Sequence, residues 1–143
     1  MTRISLAVAC LLLVVATAVG GEPVRVMTWN IRYDNPDDGP NGWPRRKDWF
    51  ADIVRGHGIE IAGFQEVLAS QLADLKQRLP DLDAYGVGRD DGKNAGEFSP
   101  IFFHRERFEL LDKATLWLSP TPDKVGSKGW DAALPRIATW VKL

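Results

Sequence analysis

Residues 24–32 read VRVMTWNIR, and the fold is decided there. Val24, Val26 and Thr28 alternate with Met27 and Trp29, the two-residue period of a strand, and the mainly apolar character of both sets predicts cover on both faces. The run breaks off at Asn30. A second run, IEIAGF over 59–64, ends against Gln65 and Glu66. Between the two, Pro44 suits the first turn of a helix, Trp49, Phe50, Ile53 and Val54 share one helical face, and Gly56 or Gly58 ends it. Strand, crossover helix and strand make a right-handed unit with parallel strands. Asn30 and Glu66 are thereby expected side by side at the carboxyl edge of one sheet, where open α/β sheets hold their ligands. Their amide and carboxylate oxygens suit a hard cation such as magnesium.

Outward from this unit, Leu68, Leu72, Leu75 and Leu79 mark a second amphipathic helix that Pro80 stops. Short antiparallel strands are predicted at 84–89, 100–104, 108–111 and 114–118, joined by RDDGKNAGE and by tight RER and DK turns. A long loop, 119–135, carries three prolines and two glycines, and RIATWVKL then alternates as a strand. The acidic stretch DNPDDGPNG at 34–42 reads as a loop. A calcium-binding EF-hand is excluded, because its third position is Pro36 and its twelfth is Arg45.

Hydrophobic residues at 45% and charged residues at 26% describe an ordinary globular chain, and a formal charge of -1 excludes a broad basic field for nucleic acid. Local arginines and a metal can still hold one phosphate. Arg3, an apolar run over 4–19 and the small-residue patterns Ala16-Thr17-Ala18 and Ala18-Val19-Gly20 have the form of a secretory signal peptide. The expected organisation is a leader at 1–20 and one domain at 21–143, secreted or periplasmic. The run is shorter than the roughly 20 residues of a spanning helix, so no stable membrane span is expected. Cys10, the one cysteine, lies inside the leader, which leaves the mature chain without a disulfide or thiol nucleophile.

TWNIR, FQEV, GEFSPIFF and PRIATW, in this order and spacing, resemble the motifs of the endonuclease/exonuclease/phosphatase superfamily, and look closest to a secreted bacterial branch of it. The resemblance implies an α/β fold, the N-terminal half of a four-layered α/β sandwich with two mainly antiparallel sheets face to face and helices outside. It implies a magnesium- or manganese-dependent phosphodiesterase or phosphatase. Glu66 would be a metal ligand. Asn30 would sit beside the metal and orient water or phosphate. Glu97 would hold a catalytic histidine in its tautomer, and Arg136 would approach the scissile phosphate.

The substrate would be a phosphoester: nucleic acid, a phospholipid head group, or a sugar or inositol phosphate. The complete protein would be a monomer. Relatives carry later Asn-Thr-His, Gly-Asp-Phe-Asn and Ser-Asp-His motifs that do not occur in this sequence. His57 suits a helix end and His104 a strand face, so neither supplies the missing base, and the 143-residue chain alone is expected to be inactive. The rival reading is a noncatalytic exported α/β binding module. It would use loop tryptophans, for which Trp43, Trp117 and Trp130 are placed, with Trp29, Trp49 and Trp140 in the core.

Overall fold

The computed structural model describes residues 22–143, so the leader reading lies outside the described residues. Strand β1 (Val26–Asn30) pairs in parallel with β2 (Ile61–Gln65), in a register running from Val26 opposite Ile61 to Asn30 opposite Gln65. Helix α1 (Trp43–Gly56) is the crossover, and α2 (Ala69–Arg78) follows β2. β3 (Leu82–Tyr85) and β4 (Ile101–His104) pair antiparallel, and β4 inserts beside β2 to give the order β1-β2-β4-β3. A second, antiparallel sheet joins β5 (Asp112–Trp117) to β6 (Ile137–Lys142). Two sheets and two helices are the mixed α/β make-up of part of such a sandwich.

An aromatic column crosses the first sheet. Phe50 of α1 meets Phe64 of β2 edge-on, with ring centroids 5.1 Å apart, and Phe64 meets Phe102 of β4 at 5.3 Å. Trp29 adds to it from β1, 4.7 Å from Phe50. Such pairs gain contact energy beyond the area they bury. The inner positions of β2, Ala62 and Phe64, are fully buried.

Several expectations need correction. β1 is an edge strand: Val26, Thr28 and Asn30 are exposed, and only Met27 and Trp29 are partly covered. The strand expected at 84–89 ends at Tyr85, because Pro100, opposite the next position, has no N–H to donate. Residues 88–90 bond instead to Lys93, Ala95 and Glu97 within their own loop. The strand expected at 108–111 does not form. The backbone N–H groups of Arg107 and Phe108 turn back onto the His104 carbonyl, while Asp112 and Lys113 lie inside β5 rather than in a DK turn.

Trp43 is 2% exposed, its indole N–H donating to Asp74 Oδ2 at 3.0 Å, so it is core rather than a loop platform. Trp117 is likewise buried. Trp49, expected in the core, is 56% exposed, because α1 buries Phe50, Ala51 and Val54, and Trp49 lies one step of the helical wheel off that face. Trp140 is also exposed. His57 caps the end of α1 as expected, and the 34–42 loop contains a 3-10 turn at Pro36–Asn41.

Candidate active site

The parallel register brings Asn30 and Glu66 into direct contact: Asn30 Nδ2 donates to Glu66 Oε1 at 2.9 Å. Glu66 Oε2 accepts the Tyr33 N–H at 3.3 Å, and Asn30 Oδ1 accepts the Arg32 N–H at 2.9 Å. Both carbonyl-edge turns are strained. Glu66 has φ 60° and Arg32 φ 61°, left-handed values that non-glycine residues adopt only where surrounding contacts impose them. Here those contacts come from Gln71, which is fully buried at the start of α2. Its Oε1 accepts from Leu68 N at 3.0 Å and Asp34 N at 3.1 Å, and its Nε2 donates to the Arg32 carbonyl at 2.9 Å. One amide thus ties the turn after β1 to the turn after β2.

Two backbone links bring in the remaining residues. Val67 and Phe98 exchange N–H···O bonds of 3.2 and 2.7 Å, which carries Glu97 to the same edge as Glu66. Leu118 N donates to the Arg136 carbonyl at 2.7 Å, which fixes Arg136 at the start of β6. Asn30, Glu66, Glu97 and Arg136 line one cleft of about 330 Å³. All four residues singled out in the sequence are therefore brought together. Arg136 is exposed, and among the described residues its guanidinium makes no hydrogen bond or ion pair.

Two members of this region have no motif in the sequence reading. Arg89 also lines the cleft, and its Nη1 donates to Glu97 Oε2 at 2.8 Å. The Glu97 carboxylate is thus engaged by an arginine, and neither His57 nor His104 lines the cleft. The signal for Arg89 was its place in a glycine-bracketed loop eight residues before Glu97. Gln71 carried only the spacing of an N3 glutamine, without the Ser or Thr N-cap that completes a capping box.

The donor set suits a hard cation that keeps water in its shell. Each oxygen of Glu66 takes one N–H and keeps further acceptor capacity. Among the described residues no three His, Cys, Asp or Glu side chains gather as a ligand group. That does not suit a structural zinc site or a calcium cage built from protein alone. It suits magnesium, which binds through one or two carboxylates and completes its shell with water and substrate phosphate.

Electrostatics around the cleft are set by short local pairs. Asp38 is held below the usual carboxylate range by its hydrogen bond to Arg32. Asp91, in the loop that carries Arg89, is held low by the backbone N–H groups of Ala95 and Lys93.

No family model and no curated protein matches the chain. Solved structures do. An endonuclease/exonuclease/phosphatase from Bacteroides vulgatus is 52% identical, with a TM-score of 0.82 over 82% of this chain and 45% of its own. A family protein from Bacteroides thetaiotaomicron is 45% identical, with a TM-score of 0.79 over 82% of this chain and 44% of its own. A mannosyl-6-phosphatase from the same organism is also 45% identical, with a TM-score of 0.80 over 83% and 45%. The chain spans a little under half the length of these relatives. Identity of 45–52% over some four-fifths of this chain, on a superposable backbone, is a relationship of family and not of fold alone: this chain belongs to the endonuclease/exonuclease/phosphatase family.

Proposed function

We propose that this chain carries the metal- and phosphate-binding side of an exported, magnesium- or manganese-dependent phosphoester hydrolase, and that its substrate is a sugar phosphate. The observation that carries the reading is the meeting of Glu66, Asn30 and Arg136 in one cleft. Membership in a phosphoester-hydrolase family supports the reaction class. The mannosyl-6-phosphatase relative favours a sugar phosphate over nucleic acid or a phospholipid head group.

Glu66 would hold the metal, which when bound supplies Lewis-acid stabilisation of phosphoryl charge. Asn30 fixes the Glu66 carboxylate by donating to Oε1, and would thereby keep Glu66 oriented toward the metal. Arg136 offers an unengaged guanidinium to two phosphate oxygens, the planar fork that matches a phosphate best. Arg89 holds Glu97 Oε2, and Oε1 would remain to orient a histidine in the role the family resemblance implies.

Water activation needs a general base, and no histidine lines this cleft. Under this reading the base comes from a group that does not line this cleft. The noncatalytic module is the weaker alternative. Of its three loop tryptophans, Trp43 and Trp117 are buried and only Trp130 stays open, at 74%.

Glu66→Gln, made in the protein as its gene encodes it, tests the reading through magnesium-titrated hydrolysis of mannose 6-phosphate. A loss of at least about a hundredfold, in line with the removal of a principal electrostatic group, is expected. Equal hydrolysis by both forms overturns it. Sugar binding with no hydrolysis by either form supports the module.

A further inference from the structure

Arg89 is 8% exposed and lines the cleft beside Glu66 and Arg136. A guanidinium carries five N–H donors. Among the described residues Arg89 places one of its side-chain nitrogens on an acceptor within hydrogen-bond distance, Nη1 on Glu97 Oε2 at 2.8 Å. Asp90 Oδ1 stands 3.8 Å from Nε, close enough for ionic attraction and too far for a hydrogen bond. Nε is buried without a partner. Buried donors left unfilled are costly, and native structures rarely tolerate them without a further acceptor.

The base of this side chain does not move freely. Arg89 N donates to the Glu97 carbonyl at 3.1 Å, and the Arg89 carbonyl accepts the buried Trp117 indole N–H at 2.7 Å. The backbone of Arg89 is thus held at both its N–H and its carbonyl, the Glu97 carboxylate holds the guanidinium, and the guanidinium's donors outnumber its acceptors. A group held in that way favours binding, because little ordering remains to be done when the ligand arrives. Arg136, unengaged, lines the same cleft. Two arginines there match an anion with more oxygens and charge than one fork can satisfy. A terminal phosphate has three non-bridging oxygens and approaches two negative charges at neutral pH, whereas an internal diester has two oxygens and one charge.

We propose that Arg89, held by Glu97 and Trp117, is a second phosphate-binding residue of this cleft, and that with Arg136 it selects a terminal phosphomonoester over an internal diester. The inference rests on the phosphohydrolase reading above and narrows its substrate class. Arg89 as a purely structural latch between the 86–99 loop and β5 is the competing account. That account moves stability and leaves phosphate affinity alone.

The test is Arg89→Lys in the protein as its gene encodes it, which keeps the charge and removes the fork. Binding of inorganic phosphate is measured by calorimetry. KM and kcat are measured for mannose 6-phosphate and for bis(p-nitrophenyl) phosphate. The expected result is phosphate binding weakened by about tenfold, the worth of one charge-assisted hydrogen bond. KM for the monoester rises by a similar factor, and the diester parameters stay within about twofold. Unchanged phosphate affinity overturns the proposal whether or not the thermal midpoint moves, as does equal loss on monoester and diester.

If Arg89→Lys fails to fold, Arg89→Gln decides. It keeps an amide N–H for Glu97 and removes the positive charge, so phosphate binding must weaken, and an unchanged affinity overturns the proposal. A wild-type protein that binds no phosphate overturns it as well. A wild-type protein that binds phosphate through Arg89 and hydrolyses nothing sinks the hydrolase reading and leaves this one standing.

Discussion

The two sheets of this chain solve different problems. In the β1-β2-β4-β3 sheet the covered face is built from whole aromatic rings, and the fully buried Phe64 packs between Phe50 and Phe102. In the β5-β6 pair burial alternates only along β6, Trp140 remains exposed, and the clearest cross-strand side-chain contact is polar, Thr115 to Thr139 at 3.1 Å. The first sheet draws its stability from packing, and the second is tied to it at few points. One such tie is the Trp117 indole on the Arg89 carbonyl. The cleft lies on the seam: Asn30 and Glu66 come from the packed sheet, Arg136 from the start of β6, and the Arg89–Glu97 pair from the 86–99 loop that spans them. A closely packed sheet positions Asn30 and Glu66, and a lightly tethered one positions Arg136.

The largest effect that would break this contrast is expected from Phe64→Ala. Removing the ring at the middle of the column should destabilise the fold by about 3–5 kcal/mol, read from the midpoint of urea unfolding. A loss below about 1 kcal/mol would show that the aromatic column is not the main support.

Trp117→Phe sharpens the contrast at the seam. It keeps most of the apolar volume and deletes the N–H to Arg89, so a stability loss of about 1–2 kcal/mol is expected, together with weaker phosphate binding. The same substitution without change in phosphate affinity would uncouple the second sheet from the cleft.

The smallest effect is in acid. Asp38 and Asp91 have folded pKa values depressed below their unfolded ones, so their contribution is present above the unfolded pKa and is lost as pH falls through the folded pKa. The thermal midpoint should therefore hold from pH 7 to about 5 and decline below about 4. The decline should be reduced by Asp91→Asn, which removes that titration. An identical decline in the variant would assign the acid sensitivity elsewhere.

Much of the architecture was legible in the sequence, because the β1-α1-β2 unit is local. Alternation, a proline at the helix start and glycines at its end specify three consecutive elements, and chirality then leaves one way to bring Asn30 beside Glu66. Asn30 and Glu66 follow from the ends of those two strands, whereas Glu97 and Arg136 were marked only by the motifs GEFSPIFF and PRIATW that carry the family resemblance. The strand ends at 85 and 112, and the exposure of Trp49 and Trp140, were not legible. They depend on where a neighbouring strand stops and which helical face meets the sheet, facts carried by residues far away in the chain.

By itself, then, the sequence determined the strand-helix-strand unit, the adjacency of Asn30 and Glu66, and the family motifs. Periodicity, turn chemistry and handedness act over short stretches and are written in consecutive residues. Only the tertiary structure decided that Glu97 pairs with Arg89, that Gln71 locks the two turns of the cleft, and that Trp43 and Trp117 are buried. Those outcomes turn on how donors and acceptors from separate elements are satisfied once packed. An arginine or a glutamine has no periodicity that announces which carboxylate or carbonyl it will meet.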